Sequence, residues 1–270
     1  MTMAIGKAAS AALFLLLLVL VVLAAYVLHK TRKIHLATYT LLKDASRSRR
    51  ELDVLFAQIQ SLLALERKLG LSDALPPLRG WAASPDFLLV LADDVLSFGP
   101  RSVVECGSGV STLVISRCLQ RNGSGHLYSL EHDGYYASKT RELLEKYGLA
   151  GWATVLDAPL QTRRTATPWY DEDALPKDLA PIEMLIVDGP PTAIAPLARY
   201  PALPRLLPKM ALHARVYLDD ADREDEREVV RRWEQEFPEW HTAGDYRCEK
   251  GLRILHRKVG DSVTGIPGAP

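Results

Sequence analysis

From Ser102 onward the chain repeats one rhythm, a short apolar run followed by a stretch whose apolar residues recur at helical spacing. Such alternation constrains the fold strongly, because a helix between two strands carries the chain back across the sheet and leaves the strands parallel, covered on both faces. Seven strands are predicted, at residues 102–106, 126–130, 153–156, 184–187, 215–218, 241–246 and 252–256. Glu249-Lys250-Gly251 separates the last two, too short a link for a helical crossover, so these two must pair antiparallel. The expected class is α/β, a mostly parallel seven-stranded sheet with an antiparallel last strand.

Ahead of this domain, residues 8–28 read AASAALFLLLLVLVVLAAYVL without a charge. About 20 apolar residues in a helix cross a hydrocarbon core, so a transmembrane helix is predicted there. A cleaved signal has a shorter apolar core and a small-x-small cleavage site, which Leu23-Ala24-Ala25 matches poorly. Lys7 precedes the span, whereas Lys30, Arg32, Lys33, Lys43 and Arg47 follow it. The positive flank marks the cytoplasmic side, which predicts a single-pass membrane protein with the bulk of the chain in the cytoplasm. Cys106, Cys118 and Cys248 lack the short paired spacing of a zinc site and are odd in number, in keeping with a reducing compartment.

Residues 34–71 contain no proline, and Leu52, Leu55, Ile59, Leu62 and Leu69 recur at spacings near three and four. This predicts an amphipathic helix. Glu66 interrupts the stripe, which favours a helix lying on the main domain over a coiled coil in a homodimer, the dimer staying open as the alternative. Pro76 and Pro77 end it, and the main domain is expected over residues 76–258, opening with a helix at 86–96 for which Ser84 is a candidate cap. The glycine- and proline-rich residues 259–270 are expected to be a disordered tail. Lys+Arg and Asp+Glu both number 33, and such neutrality argues against nucleic acid as a partner.

The chemistry concentrates at strand ends. Residues 103–112, VVECGSGVST, give a buried strand, an acid, two glycines and a helix start. Gly107 and Gly109 allow a sharp turn and close backbone approach to a ligand, beside the free N–H groups of a helix N-terminus. Glu131 ends the second strand about twenty residues on, where a carboxylate can accept from two ribose hydroxyls. Asp157 ends the third strand at the same edge, within reach of an adenine amino group.

This pattern resembles the class I S-adenosylmethionine-dependent methyltransferases, whose sheet is Rossmann-like and ends in an antiparallel hairpin. The resemblance covers residues 76–258. It implies that Glu105, Gly107, Ser108 and Gly109 hold the methionine end of S-adenosylmethionine, Glu131 the ribose and Asp157 the adenine. A nicotinamide enzyme would need a third glycine where Thr112 stands. A catalytically inactive interaction module is the other alternative, against which the intact glycine turn and Glu131 count.

Asp188 ends the fourth strand, and Asp219 and Asp220 end the fifth, so three carboxylates should meet at one cleft. A hard divalent cation such as Mg²⁺ would relieve their repulsion. That placement resembles the metal-dependent O-methyltransferases, although Pro190 stands where sugar-modifying relatives carry a second acid, so no catalytic base is assigned. The competing reading has Asp219, Asp220 and Asp222 capping a helix at 223–237. In the loop 161–181, Trp169 and Tyr170 are better candidates for packing than for substrate contact. The methyl acceptor is not encoded in any residue string.

Overall fold

The computed structural model describes residues 2–258 apart from Arg79, Trp81 and Asp245, and the side chains from Ala12 onward. The expected tail at 259–270 lies outside the described residues. The chain divides into two compact units, Met1–Phe56 and Ala57–Pro270.

The first unit belongs to one helix, α1, Thr2–Leu69. The sequence suggested two helices, at 8–28 and 34–71. They are continuous because His29-Lys30-Thr31-Arg32-Lys33 contains neither proline nor glycine, so nothing local breaks the hydrogen-bond ladder. α1 contains a segment long and apolar enough to cross a membrane. It ends where Gly70 takes a left-handed φ of 57° and its N–H reaches the Glu66 carbonyl at 3.0 Å.

Within the second unit, the last turns of α1 pack on the α/β domain through Leu65 and Leu69, both fully buried. Gln58 clamps Asp86, donating to its carboxylate at 2.8 Å and accepting from its N–H at 3.2 Å. Of the predicted stripe, only Leu69 is buried and Leu62 half-buried, while Leu52, Leu55 and Ile59 are exposed. Helix α2, Pro85–Phe98, begins at its proline and ends on left-handed Gly99. Ser84 occupies the cap position but its hydroxyl makes no capping bond; the Asp86 carboxylate accepts from the Phe87 N–H instead.

The seven-stranded sheet is built from β1 (Ser102–Cys106), β2 (His126–Glu131), β3 (Ala153–Asp157), β6 (Ile182–Val187), β7 (Met210–Asp219), β8 (Trp240–Thr242) and β9 (Leu252–Arg257). Its order is β3-β2-β1-β6-β7-β9-β8, parallel up to β7, with β9 antiparallel to both β7 and β8. β7 begins five residues before its predicted start. The strand predicted at 241–246 is shorter, and Tyr246 makes only an isolated bridge to Leu252. Helices α3 (Val110–Asn122), α4 (Gly134–Lys146), α5 (Ala202–Leu206) and α6 (Glu224–Glu236) complete the layers.

Alternation along the strands divides the core between the two faces. Val103, Met184 and Ile186 pack with Leu88, Leu91 and Leu113 in one cluster, and Val104, Leu185 and Val187 pack with Leu203, Val229 and Trp233 in the other. After β3 the chain returns to the opposite side of β1, so strand order reverses between β1 and β6. A crevice for ligands forms at the C-terminal ends of strands beside such a reversal. A feature absent from the expectation is a small hairpin, β4 (Leu160–Gln161) with β5 (Trp169–Tyr170), which folds part of the predicted loop and buries Trp169 and Tyr170.

Candidate active site

The turn after β1 is held by its own backbone. Gly107 has φ 108° and Gly109 φ 156°, and the Gly107 N–H reaches the Leu130 carbonyl of β2 at 2.9 Å. A side chain at Gly107 would be strained by the backbone and would also touch the Asp188-Gly189 peptide after β6 at 3.6–3.7 Å. The glycine turn therefore lies against the opposite wall of the crevice.

Glu105 is fully buried at the end of β1. Thr112, in the first turn of α3, donates to Glu105 Oε2 at 2.7 Å while accepting from the Gly109 N–H at 2.9 Å. This threonine, notable in the sequence only as a missing third glycine, ties the turn to the acid. Glu105 Oε1 has no hydrogen-bond partner among the described residues. Burial pushes the Glu105 pKa up to about 7; the neighbouring hydroxyls of Ser111, Thr112 and Ser129 oppose the rise, and the nearby Glu131 charge adds to it.

Glu131 closes on the same turn. Ser108 donates to its Oε2 at 2.8 Å, the Asp133 N–H donates to Oε1 at 3.0 Å, and His132 Nδ1 lies 3.1 Å from Oε1. Burial alone would raise its pKa, but His132, the Asp133 N–H and Ser108 outweigh it and hold the carboxyl below the ordinary range. Glu105, Gly107, Ser108, Gly109 and Glu131 thus form one connected group. Asp157 pairs with Glu131 in the sheet register, yet its carboxylate is exposed and bonded by Arg141 at 2.9 Å. It shares the sheet edge without joining the buried group.

Asp188, Asp219 and Asp220 do meet: each offers an oxygen, and these oxygens lie within 4.8 Å of one another. Among them sits a group that sequence reasoning missed, the buried guanidinium of Arg199. It donates to Asp220 Oδ2 at 2.8 Å, to the Asp219 carbonyl at 2.8 Å and to the Asp188 carbonyl at 2.9 Å, and lies 3.5 Å from Asp188 Oδ1 and 3.7 Å from Glu226. Arg223 reaches Asp220 from the surface at 2.9 Å. Four carboxylates thus face two guanidiniums. Burial and mutual repulsion raise the pKa of Asp219, and burial raises that of Asp188 against the pull of Arg199. Asp219 Oδ1 and Asp220 Oδ1 lack partners among the described residues. The capping alternative is not borne out: Arg223 holds the cap position of α6 without a side-chain bond, and the acids in the first turn are Glu224, Asp225 and Glu226.

Tyr170 lies between the turn after β6 and His132. A methyl on Gly189 would come within 2.2 Å of its hydroxyl and 3.3 Å of the Cys106 carbonyl, and its ring lies 5.9 Å from that of His132. The side chain is both part of the core and a wall of the crevice.

A family model described as a methyltransferase domain matches residues 104–221. Among solved structures, the cofactor-bound Rv0187 from MTB is 19% identical with a TM-score of 0.51, covering 76% of this chain and 89% of that one. The SAH-bound methyltransferase PaMTH1 of Podospora anserina is 14% identical with a TM-score of 0.52, covering 73% and 88%. An O-methyltransferase from Bacillus cereus in complex with SAH is 19% identical with a TM-score of 0.50, covering 74% and 91%. No curated protein sequence matches the chain. The second unit shares the Rossmann-like fold of these methyltransferases, and the residues that match the methyltransferase-domain model lie within it.

Because the folded pKa of Glu105 lies above its ordinary value of 4.5, the folded state holds a proton there that the unfolded chain has lost. Its contribution to stability is full below about pH 4.5 and declines as pH rises through about 7, by on the order of 3 kcal/mol. Denaturant midpoints of the ligand-free protein should therefore fall more steeply between pH 5 and 8 (a window set roughly by these values) than those of Glu105→Gln. Parallel slopes for the two proteins would show that Glu105 is not the titrating group.

Proposed function

We propose that this chain is a membrane-anchored S-adenosylmethionine-dependent O-methyltransferase whose catalytic domain faces the cytoplasm. The observation that supports this best is the convergence of the glycine turn, Glu105 and Glu131, with one oxygen of Glu105 unsatisfied. A buried polar atom without a partner suits a ligand that brings the donor, and the ammonium of a methionine moiety is such a group. Gly107 and Gly109 admit the ligand's backbone-facing end, and Glu131 accepts ribose hydroxyls in place of the Ser108 hydroxyl. Asp157 is assigned to adenine by its strand-end position, and Arg141 has to yield for it to serve. A nicotinamide ligand fits less well, because Thr112 occupies the third-glycine position and is committed to Glu105.

The donor supplies an activated methyl on a sulfonium, so the protein's part is positioning the acceptor, excluding water and taking a proton from the acceptor hydroxyl. Asp188, Asp219 and Asp220 suit a Mg²⁺ ion, through the free oxygens of Asp219 and Asp220 and the Asp188 carboxylate. A bound cation would lower the pKa of an acceptor hydroxyl, and Arg199 limits the net charge that the ion must balance. The acceptor is an unidentified hydroxyl compound. The Bacillus cereus relative, itself an O-methyltransferase, supports transfer to oxygen.

Calorimetric titration of the protein with S-adenosylmethionine should give saturable binding, weakened about 10- to 100-fold in Glu131→Ala through loss of charge-assisted hydrogen bonds. No saturation at millimolar donor overturns the enzyme reading and leaves an interaction module. For the metal, Asp219→Ala should reduce turnover far more than donor affinity, and turnover unchanged by a chelator would remove Mg²⁺ from the proposal. Deleting residues 2–33 should move the protein from the membrane fraction to the supernatant; retention in the membrane fraction contradicts anchoring by α1.

A further inference from the structure

Beyond the uncharged run, α1 remains apolar in a pattern that lipid does not explain. Ile34, Leu41, Leu52 and Leu55 are 66%, 68%, 63% and 49% exposed, in a stretch dense with charge. Written as heptads with Ile34 at d, the a and d positions from there to Leu55 are Ile34, Thr38, Leu41, Ala45, Ser48, Leu52 and Leu55. Two positions in seven belong to such a seam, so random placement would put about three of the ten charged residues between His29 and Phe56 on it. None falls there. Leu42 and Phe56, at e, flank the seam, and the small residues Thr38, Ala45 and Ser48 allow close approach of another helix.

We infer that this seam pairs with the same seam of a second copy of the chain in a parallel two-stranded coiled coil. Parallel orientation rests on the anchoring reading above, since copies inserted alike present their helices in one direction. In that arrangement a g residue faces the e residue of the partner helix's next heptad. Asp44 at g then faces Arg49 at e of the second copy, and neither makes an ion pair among the described residues of its own chain. Arg47 and Glu51, by contrast, are already paired along the helix at 2.9 Å. The remaining g-to-e pairs, Lys30 with His35, Ala37 with Leu42 and Glu51 with Phe56, bring no two permanent like charges together.

Full-length protein in phosphatidylcholine vesicles offers a direct test. The native cysteines Cys106, Cys118 and Cys248 are buried, so background cross-linking should be low. Ser48→Cys and Leu41→Cys, at d, should form disulfide-linked dimers on mild oxidation several-fold more than Lys43→Cys and Arg50→Cys, at f. Ser48 is already small and polar, so its replacement leaves the helix intact. Arg49→Glu should lower the Ser48→Cys dimer several-fold, and adding Asp44→Lys should restore it. Equal cross-linking at d and f, no cross-linking at Ser48→Cys, or failure of the double reversal to restore the dimer would each overturn the parallel coiled coil.

Discussion

The arrangement at the strand ends depends on how Glu105 is buried. A carboxylate placed at the end of a fully buried central strand has few sources of compensation, and the protein supplies one through Thr112, which reaches back from the first turn of α3. The same hydroxyl accepts from the Gly109 N–H, so the geometry of the glycine turn and the solvation of the acid are one interaction. Ser108 then extends the link to Glu131 and, at 3.1 Å, to Thr140 of α4. Strands β1 and β2 and helices α3 and α4 are thereby tied to a common point through two hydroxyls, those of Ser108 and Thr112. The cost is a carboxyl oxygen without a partner among the described residues and a raised pKa, a combination more readily understood at a ligand site than in a purely structural core.

Much of this was legible in the sequence because it rests on local rules. β1 falls at its predicted residues, since five consecutive buried positions followed by glycines leave a strand few other places to end. The antiparallel final pair follows from the short link between its strands. What was not legible depended on partners remote in sequence. The β4–β5 hairpin has two-residue strands, too short to carry any period, and is fixed by burial of Trp169 and Tyr170 against the sheet. The continuity of α1 was obscured by composition: a change from apolar to charged residues suggests a boundary, whereas the backbone responds only to residues that break the ladder.

The acidic cluster shows the limit most clearly. Placing three carboxylates at adjacent strand ends was correct as geometry, and their repulsion had to be relieved; the sequence offered a divalent cation as the relief, yet an arginine already supplies part of it. Arg199 lies in PPTAIAPLARY, a segment of small and apolar residues with no period and no motif to direct its side chain inward. Its burial is set by the carbonyls of Asp188 and Asp219 as much as by charge, because a guanidinium needs several acceptors in fixed directions before it can leave water. The two terminal nitrogens of this fork are fixed by the carbonyls of Asp188 and Asp219 and by the Asp220 carboxylate, so the guanidinium is part of the wall. Asp219 Oδ1 and Asp220 Oδ1 have no partner among the described residues while the cluster as a whole is held, so the proposed metal ion would find two oxygens there without dismantling the scaffold around them.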